Sequence, residues 1–144
     1  MSGLRLPKEM ITGSVQTAQT VLNAAQPKLE MVAPGDRLLD GIELIDAPGH
    51  TPGHLAFAIT SGNEQLLHIV DAAHHEVLMF AHLDWTMAGD SAPAQASVTR
   101  KKLFDRAAAD RTRIFAAHFA YPALGYVAKT TAVTNSCTNR WTWS

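Results

Sequence analysis

Two histidines, His50 and His54, lie four residues apart in the run Asp46-Ala47-Pro48-Gly49-His50-Thr51-Pro52-Gly53-His54, each directly after a glycine and close to a proline. Proline fixes φ and glycine permits the sharp turn, so this run reads as a stiff loop holding imidazoles at the end of a strand. That is a common way to present metal ligands. His50, Asp71 and His118 share one placement, because each follows directly on a predicted strand (residues 38–46, 65–70 and 113–117). Neighbouring strands of one sheet would bring the three side chains to a single edge. Neutral imidazole and carboxylate together suit zinc or a similar first-row ion. A carboxylate between two imidazoles can bridge two ions, lowering the pKa of a shared water and supplying a nucleophile near neutral pH.

Each residue also has a plainer reading. His50 and His54 could cap a tight Pro-Gly turn, and Asp71 could accept backbone amides at a strand end. His118 gains its weight from its company. His74, His75 and His82 form a rival group with Asp71, dense within twelve positions. Adjacent histidines seldom converge on one ion, so this group reads as a polar loop over the cleft. Met79, Phe80, Trp85 and Met87 read as a satellite apolar cluster beneath it.

The elements that must position these groups follow from periodicity. Residues 1–13, punctuated by Pro7 and Gly13, read as an N-terminal arm, with Ser14 capping a helix over 15–26 that Pro27 ends. In that helix Ala18, Val21, Leu22 and Ala25 share a face. Residues 28–33 are a short strand candidate before a Pro34-Gly35-Asp36 turn. Residues 38–46 and 55–60 bracket the histidine loop as strands, and Ser61-Gly62-Asn63 turns into a third over 65–70. An irregular stretch over 71–90 precedes a helix over 93–110, with Pro93 in its first turn and Ala96, Leu103, Phe104 and Ala107 inward. Residues 113–117 then deliver His118. The segment 130–144, rich in Thr and Asn, has no clear period; Trp141 and Trp143 there belong either to an edge strand or to a disordered tail.

The chain has 144 residues, with 47% hydrophobic and 17% charged, which fits one globular α/β domain. Twelve basic against thirteen acidic residues leave a formal charge of -1, with no general attraction to nucleic acid or anionic membrane. Arg100-Lys101-Lys102, the densest basic cluster, reads as a solvated helix face. The single cysteine, Cys137, reads as a free thiol of a reducing compartment. The first residues lack the apolar core of a secretory signal, and no apolar run approaches the ~20 residues of a membrane span. A cytoplasmic protein is the default expectation.

The order Gly49-His50-Thr51-Pro52-Gly53-His54, a strand ending at Asp71, and His118 after another strand resembles the second half of the metallo-β-lactamase superfamily. The segments Ile69-Val70-Asp71-Ala72-Ala73-His74-His75 and Ala117-His118-Phe119-Ala120-Tyr121-Pro122-Ala123-Leu124-Gly125 look most like its lactonase and organophosphate hydrolase branch. The resemblance covers roughly residues 15–128. It implies His50 as a ligand of a first metal, Asp71 as the bridging carboxylate and His118 as a ligand of a second. His54 is implied to hydrogen-bond behind the ligands, and His74, His75 and Trp85 to border the substrate cleft. The implied fold is half of an αββα sandwich, a mixed sheet with helices on one face over 14–129, followed by a divergent tail over 130–144. The implied activity is zinc-dependent hydrolysis of a lactone, ester or phosphotriester.

One departure stands out. The family's His-x-His-x-Asp-His signature is missing, no His-x-His occurs anywhere, and residues 1–49 contain no histidine. Catalytic zinc generally takes three protein ligands, so neither implied site is complete in one copy. The sheet would also expose an apolar face normally covered by the other half. The expected partner is therefore a missing N-terminal half or a second copy in a homodimer, and the alternative function is a non-catalytic, self-associating remnant or metal-binding module.

Overall fold

The structure, a computed structural model, describes residues 8–131 and 137–143. It divides into two compact units, residues 1–32 and 33–144. The first holds helix α1 (Lys8–Ala25), which passes into a short 3-10 turn at Gln26–Lys28 around Pro27. The helix reaches back past Ser14, and Val21 and Leu22 of its shared apolar face are exposed. Residues 29–33 are irregular rather than a strand.

The second unit is built on a seven-stranded sheet whose spatial order follows the sequence: β1 (Arg37–Leu39), β2 (Ile42–Asp46), β3 (Leu55–Ser61), β4 (Glu64–His68), β5 (Arg113–Phe115), β6 (Leu124–Thr131) and β7 (Cys137–Trp143). All neighbours are antiparallel except β4 and β5, which run parallel. A parallel pair needs a long crossover. Here it spans residues 69–112 and contains α2 (Leu78–Ala81) and α3 (Pro93–Asp110). The fold is thus α/β with a mixed sheet. β7 settles the tail in favour of an edge strand; the side chains of Cys137, Trp141 and Trp143 lie outside the described residues.

Strand alternation splits the sheet into two unlike faces. Ala56, Leu67, Ile69, Ile114, Ala116 and Val127 form the core with Leu103, Phe104 and Ala107 of α3 and with Met79 and Phe80 of α2. Phe80 stacks on Phe104 at 4.3 Å. Met79 and Phe80 therefore belong to the main core, whereas Trp85 of the expected satellite cluster is half exposed. The opposite face carries Phe57, Ile59, Leu66, His68, Arg113, Phe115, Leu124 and Tyr126, all only partly buried. Their registers, Phe57↔His68↔Phe115↔Leu124 and Ile59↔Leu66↔Arg113↔Tyr126, make two continuous rows across four strands. Among the described residues no helix is long and apolar enough to cross a membrane.

Arg100 overturns the expectation of a solvated basic face. It is 1% exposed, on the inward stripe of α3. Its Nε donates to the Ala72 carbonyl (2.9 Å), and its Nη1 to those of Leu83 (2.8 Å) and Trp85 (2.7 Å). Burial pulls its pKa down, opposed by Asp90 and Asp84, but a guanidinium stays charged. Lys101 and Lys102 do lie nearer the surface, and Lys101 pairs with Asp84.

Candidate metal centre

His50, Asp71 and His118 meet at one edge of the sheet, beyond the ends of β2, β4 and β5. His118 Nε2 lies 2.8 Å from Asp71 Oδ1, and His50 Nε2 lies 4.0 Å from Asp71 Oδ2. The two carboxylate oxygens thus face different imidazoles. Val70, directly before Asp71, has φ 48. A β-branched residue in the left-handed region is strained, by about 1–3 kcal/mol, and such strain collects at functional sites.

The loop that carries His50 is docked on α3. The Ala92 N–H donates to the Gly49 carbonyl (2.9 Å) and the Ser91 N–H to that of His50 (3.0 Å). Thr99 Oγ1 donates to the Pro48 carbonyl at 2.6 Å. His50 Nδ1 lies 3.1 Å from Asp90 Oδ1, whose side chain is 1% exposed, while Oδ2 of the same carboxylate accepts the Met87 N–H. A buried carboxylate on one ring nitrogen fixes the tautomer and leaves Nε2 as a lone-pair donor. Sequence reading missed Asp90, because its only local mark is a position after Gly89 in a loop.

His54 is buried and both its ring nitrogens are engaged. Nδ1 lies 2.8 Å from the Ala47 carbonyl, which requires Nδ1–H, so Nε2 accepts the Asp71 backbone N–H at 3.2 Å. It braces the backbone of Asp71 and has no nitrogen left for an ion.

His74 joins the group, between His50 (ring centroids 5.1 Å apart) and His118 (4.7 Å, stacked). Its Nδ1 is buried and has no hydrogen-bond partner. Burial foremost, then the neighbouring His118 and His50 rings, holds its pKa below the ordinary value, so the neutral ring is favoured. Its other expected companions stay away. His75 is exposed and its Nδ1 accepts the Val77 N–H at the start of α2; His82 stacks on Trp85 at 4.0 Å. Of the rival group, only His74 therefore meets Asp71. Among the described residues Asp71, His74 and His118 each offer one ligand atom, all within 4.8 Å of one another. Two imidazoles, a carboxylate and an orphaned buried nitrogen suit a first-row divalent ion.

No protein-family model matches the chain, and no curated protein does. Solved structures do. AidC, a dizinc quorum-quenching lactonase held with its product, aligns with 99% of this chain at 31% identity and a TM-score of 0.88. The hydrolase AbOPH, of the beta lactamase superfamily, aligns with 94% at 26% identity and 0.78. The chain belongs to the metallo-β-lactamase superfamily. A probable metal-dependent hydrolase from Staphylococcus aureus, at 17% identity and a TM-score of 0.64 over 83% of the chain, adds likeness of fold alone. The chain spans about half the length of these superfamily structures, 47% of AidC and 47% of AbOPH. Its mixed sheet with helices on one face is half of the superfamily's sandwich.

Proposed function

We propose that this chain supplies one half of a zinc-dependent hydrolase centre, acting on a lactone, ester or phosphotriester in a reducing cytoplasm. The meeting of His50, Asp71 and His118 at one sheet edge carries this reading, and the likeness to AidC and AbOPH supports it. His50, Asp71 and His118 would hold the metal, which when bound would polarise the scissile carbonyl or phosphoryl group and acidify a water. Within the chain, Asp90 keeps His50 Nε2 free to donate its lone pair, and His54 fixes the Asp71 backbone. His74 lies against the ligands, and His75 and Trp85 stand as candidate substrate contacts.

The rest of the centre would come from a second half carrying His-x-His-x-Asp-His, seated on the open face of the sheet. The apolar rows through Phe57 and Ile59 suit a covering layer. So does Arg113, whose buried Nε has no partner and whose guanidinium lies 5.7 Å from the Tyr126 ring centroid. Mixing the chain with such a half and zinc is expected to yield hydrolysis across a panel of lactones, aryl esters and phosphotriesters that neither piece gives alone. A folded, zinc-loaded pair with no turnover would sink the reading. Asp90→Asn removes the charge behind His50 and is expected to weaken zinc binding to the completed pair about tenfold, read by calorimetry.

The same open face favours a second reading, a self-associating, non-catalytic remnant in which another copy takes the place of the missing half. Sedimentation at micromolar concentration decides: a clean monomer ends it, whereas a dimer that keeps zinc through dialysis without hydrolysis supports it.

A further inference from the structure

We infer that Asp71, His74 and His118 form a metal site complete within one chain, which takes a single first-row divalent ion such as zinc without the other half. This rests on the reading above in one respect, that Asp71 and His118 are ligands; it assigns the third place to His74.

The argument starts from the two oxygens of Asp71. Oδ2 faces His50 at 4.0 Å, while Oδ1 faces His118 at 2.8 Å. An ion on the His118 side therefore needs one more donor close to Oδ1 and His118. His74 stacks on the His118 ring at 4.7 Å, and its ligand atom lies within 4.8 Å of those of Asp71 and His118. The imidazole also has a nitrogen to give. Nδ1 of His74 is buried without a hydrogen-bond partner, and an unpaired buried polar atom carries a desolvation cost that a ligand would recover. The backbone that carries the ring is tied to the core, because the His74 backbone N–H donates to Sδ of Met79, a core residue of α2.

Among the described residues no other histidine shares this cluster of ligand atoms. His54 uses both nitrogens on the backbone, His75 caps α2, and His82 lies on Trp85. His50, tethered to Asp90, serves the other oxygen of Asp71 and is left for a second ion that the lone chain cannot hold. Two imidazoles and one carboxylate are the three protein donors that an open zinc site requires.

The test is calorimetric titration of the metal-stripped, isolated chain with zinc chloride, with imidazole resonances followed by NMR. One zinc per chain is expected, shifting the rings of His74 and His118. His74→Ala and His118→Ala should each weaken binding by ~100-fold or more, beyond the loss from disturbing an outer partner. His50→Ala should stay within ~10-fold of the parent. His118 is half exposed, so its removal spares the fold; circular dichroism checks each variant. Parental affinity in folded His74→Ala overturns the site. If His50→Ala loses zinc while His74→Ala keeps it, the proposal falls and the His50, Asp71 and His118 ligand set stands. A folded chain that takes no zinc also overturns it, leaving the two-half reading to its own complementation test.

Discussion

Gly49→Ala is expected to cost about 3 kcal/mol or more and to release His50 from its place. Gly49 has φ +135, a conformation side chains rarely adopt, and a Cβ there would lie 2.3 Å from the Ala96 amide nitrogen and 2.4 Å from its Cα. Those are backbone atoms of α3, so nothing flexible can yield. The loop must lift instead, surrendering the Gly49–Ala92 and His50–Ser91 hydrogen bonds. Strain and overpacking each cost about 1–3 kcal/mol, which sets the expected size. Urea denaturation reads the loss of stability. Gly53→Ala provides the contrast: it has open space around it and no positive φ, and its effect should stay within about 0.5–1 kcal/mol. Equal midpoints for the two variants would refute the assignment of Gly49 as the docking point of the histidine loop.

Arg100→Met should be comparably severe, at about 3–5 kcal/mol. It removes the donor from the carbonyls of Ala72 and Trp85 and one of the two donors from that of Leu83, which keeps the Ser97 hydroxyl. Each unsatisfied acceptor costs about 1–3 kcal/mol, partly relieved by repacking. The three carbonyls belong to Ala72, Leu83 and Trp85, at the two ends of the segment that carries His74. Hydrogen exchange should therefore accelerate first between residues 72 and 90. Arg100→Lys is not expected to rescue it, because a point ammonium cannot reproduce the fork that spans three acceptors. Uniform acceleration over the whole sheet would show that Arg100 stabilises the domain without holding this segment in particular.

Much of this arrangement was legible because it is local. The apolar stripe of Ala96, Leu103, Phe104 and Ala107 and the proline at its start mark α3 with its observed bounds. The strand after the histidine loop was visible in alternation, and so was the placement of His50, Asp71 and His118 beyond strand ends. The single strand expected over 38–46 is instead a hairpin, β1 and β2, turned at Asp40-Gly41. Arg100 was misread although it falls on the same stripe, one turn after Ala96, because its charge argued for solvent. The carbonyls at Ala72, Leu83 and Trp85, supplied by a distant loop, together with the charges of Asp90 and Asp84, make burial tolerable. β6 was not predicted as a strand, and β7 was left open between an edge strand and a disordered tail, because its Thr- and Asn-rich sequence becomes a strand only when a neighbour offers a ladder. Conversely, residues 28–33 have strand composition but no partner strand; Lys28 ends the 3-10 turn and 29–33 stay irregular. Asp90 and the orphaned nitrogen of His74 carry next to no sequence mark, since they are defined by distant partners: His50 for Asp90, and His50 and His118 for His74.

The parallel pairing of β4 with β5 has a consequence for how the centre comes into being. Asp71 and His118 sit on opposite sides of a crossover that must be traversed in full before they can meet. Every other strand pairing closes a hairpin or a short return and can form early, whereas this one requires distant segments to find each other, the slow kind of contact. The centre is then absent from partly folded chains and present only when the topology is complete. An ion that bound there would favour the finished state by mass action, to the extent that it binds that state more tightly than the unfinished ones. Metal uptake would act as a readout of completed folding, with the cell's supply of free ion setting how far that last step is drawn forward.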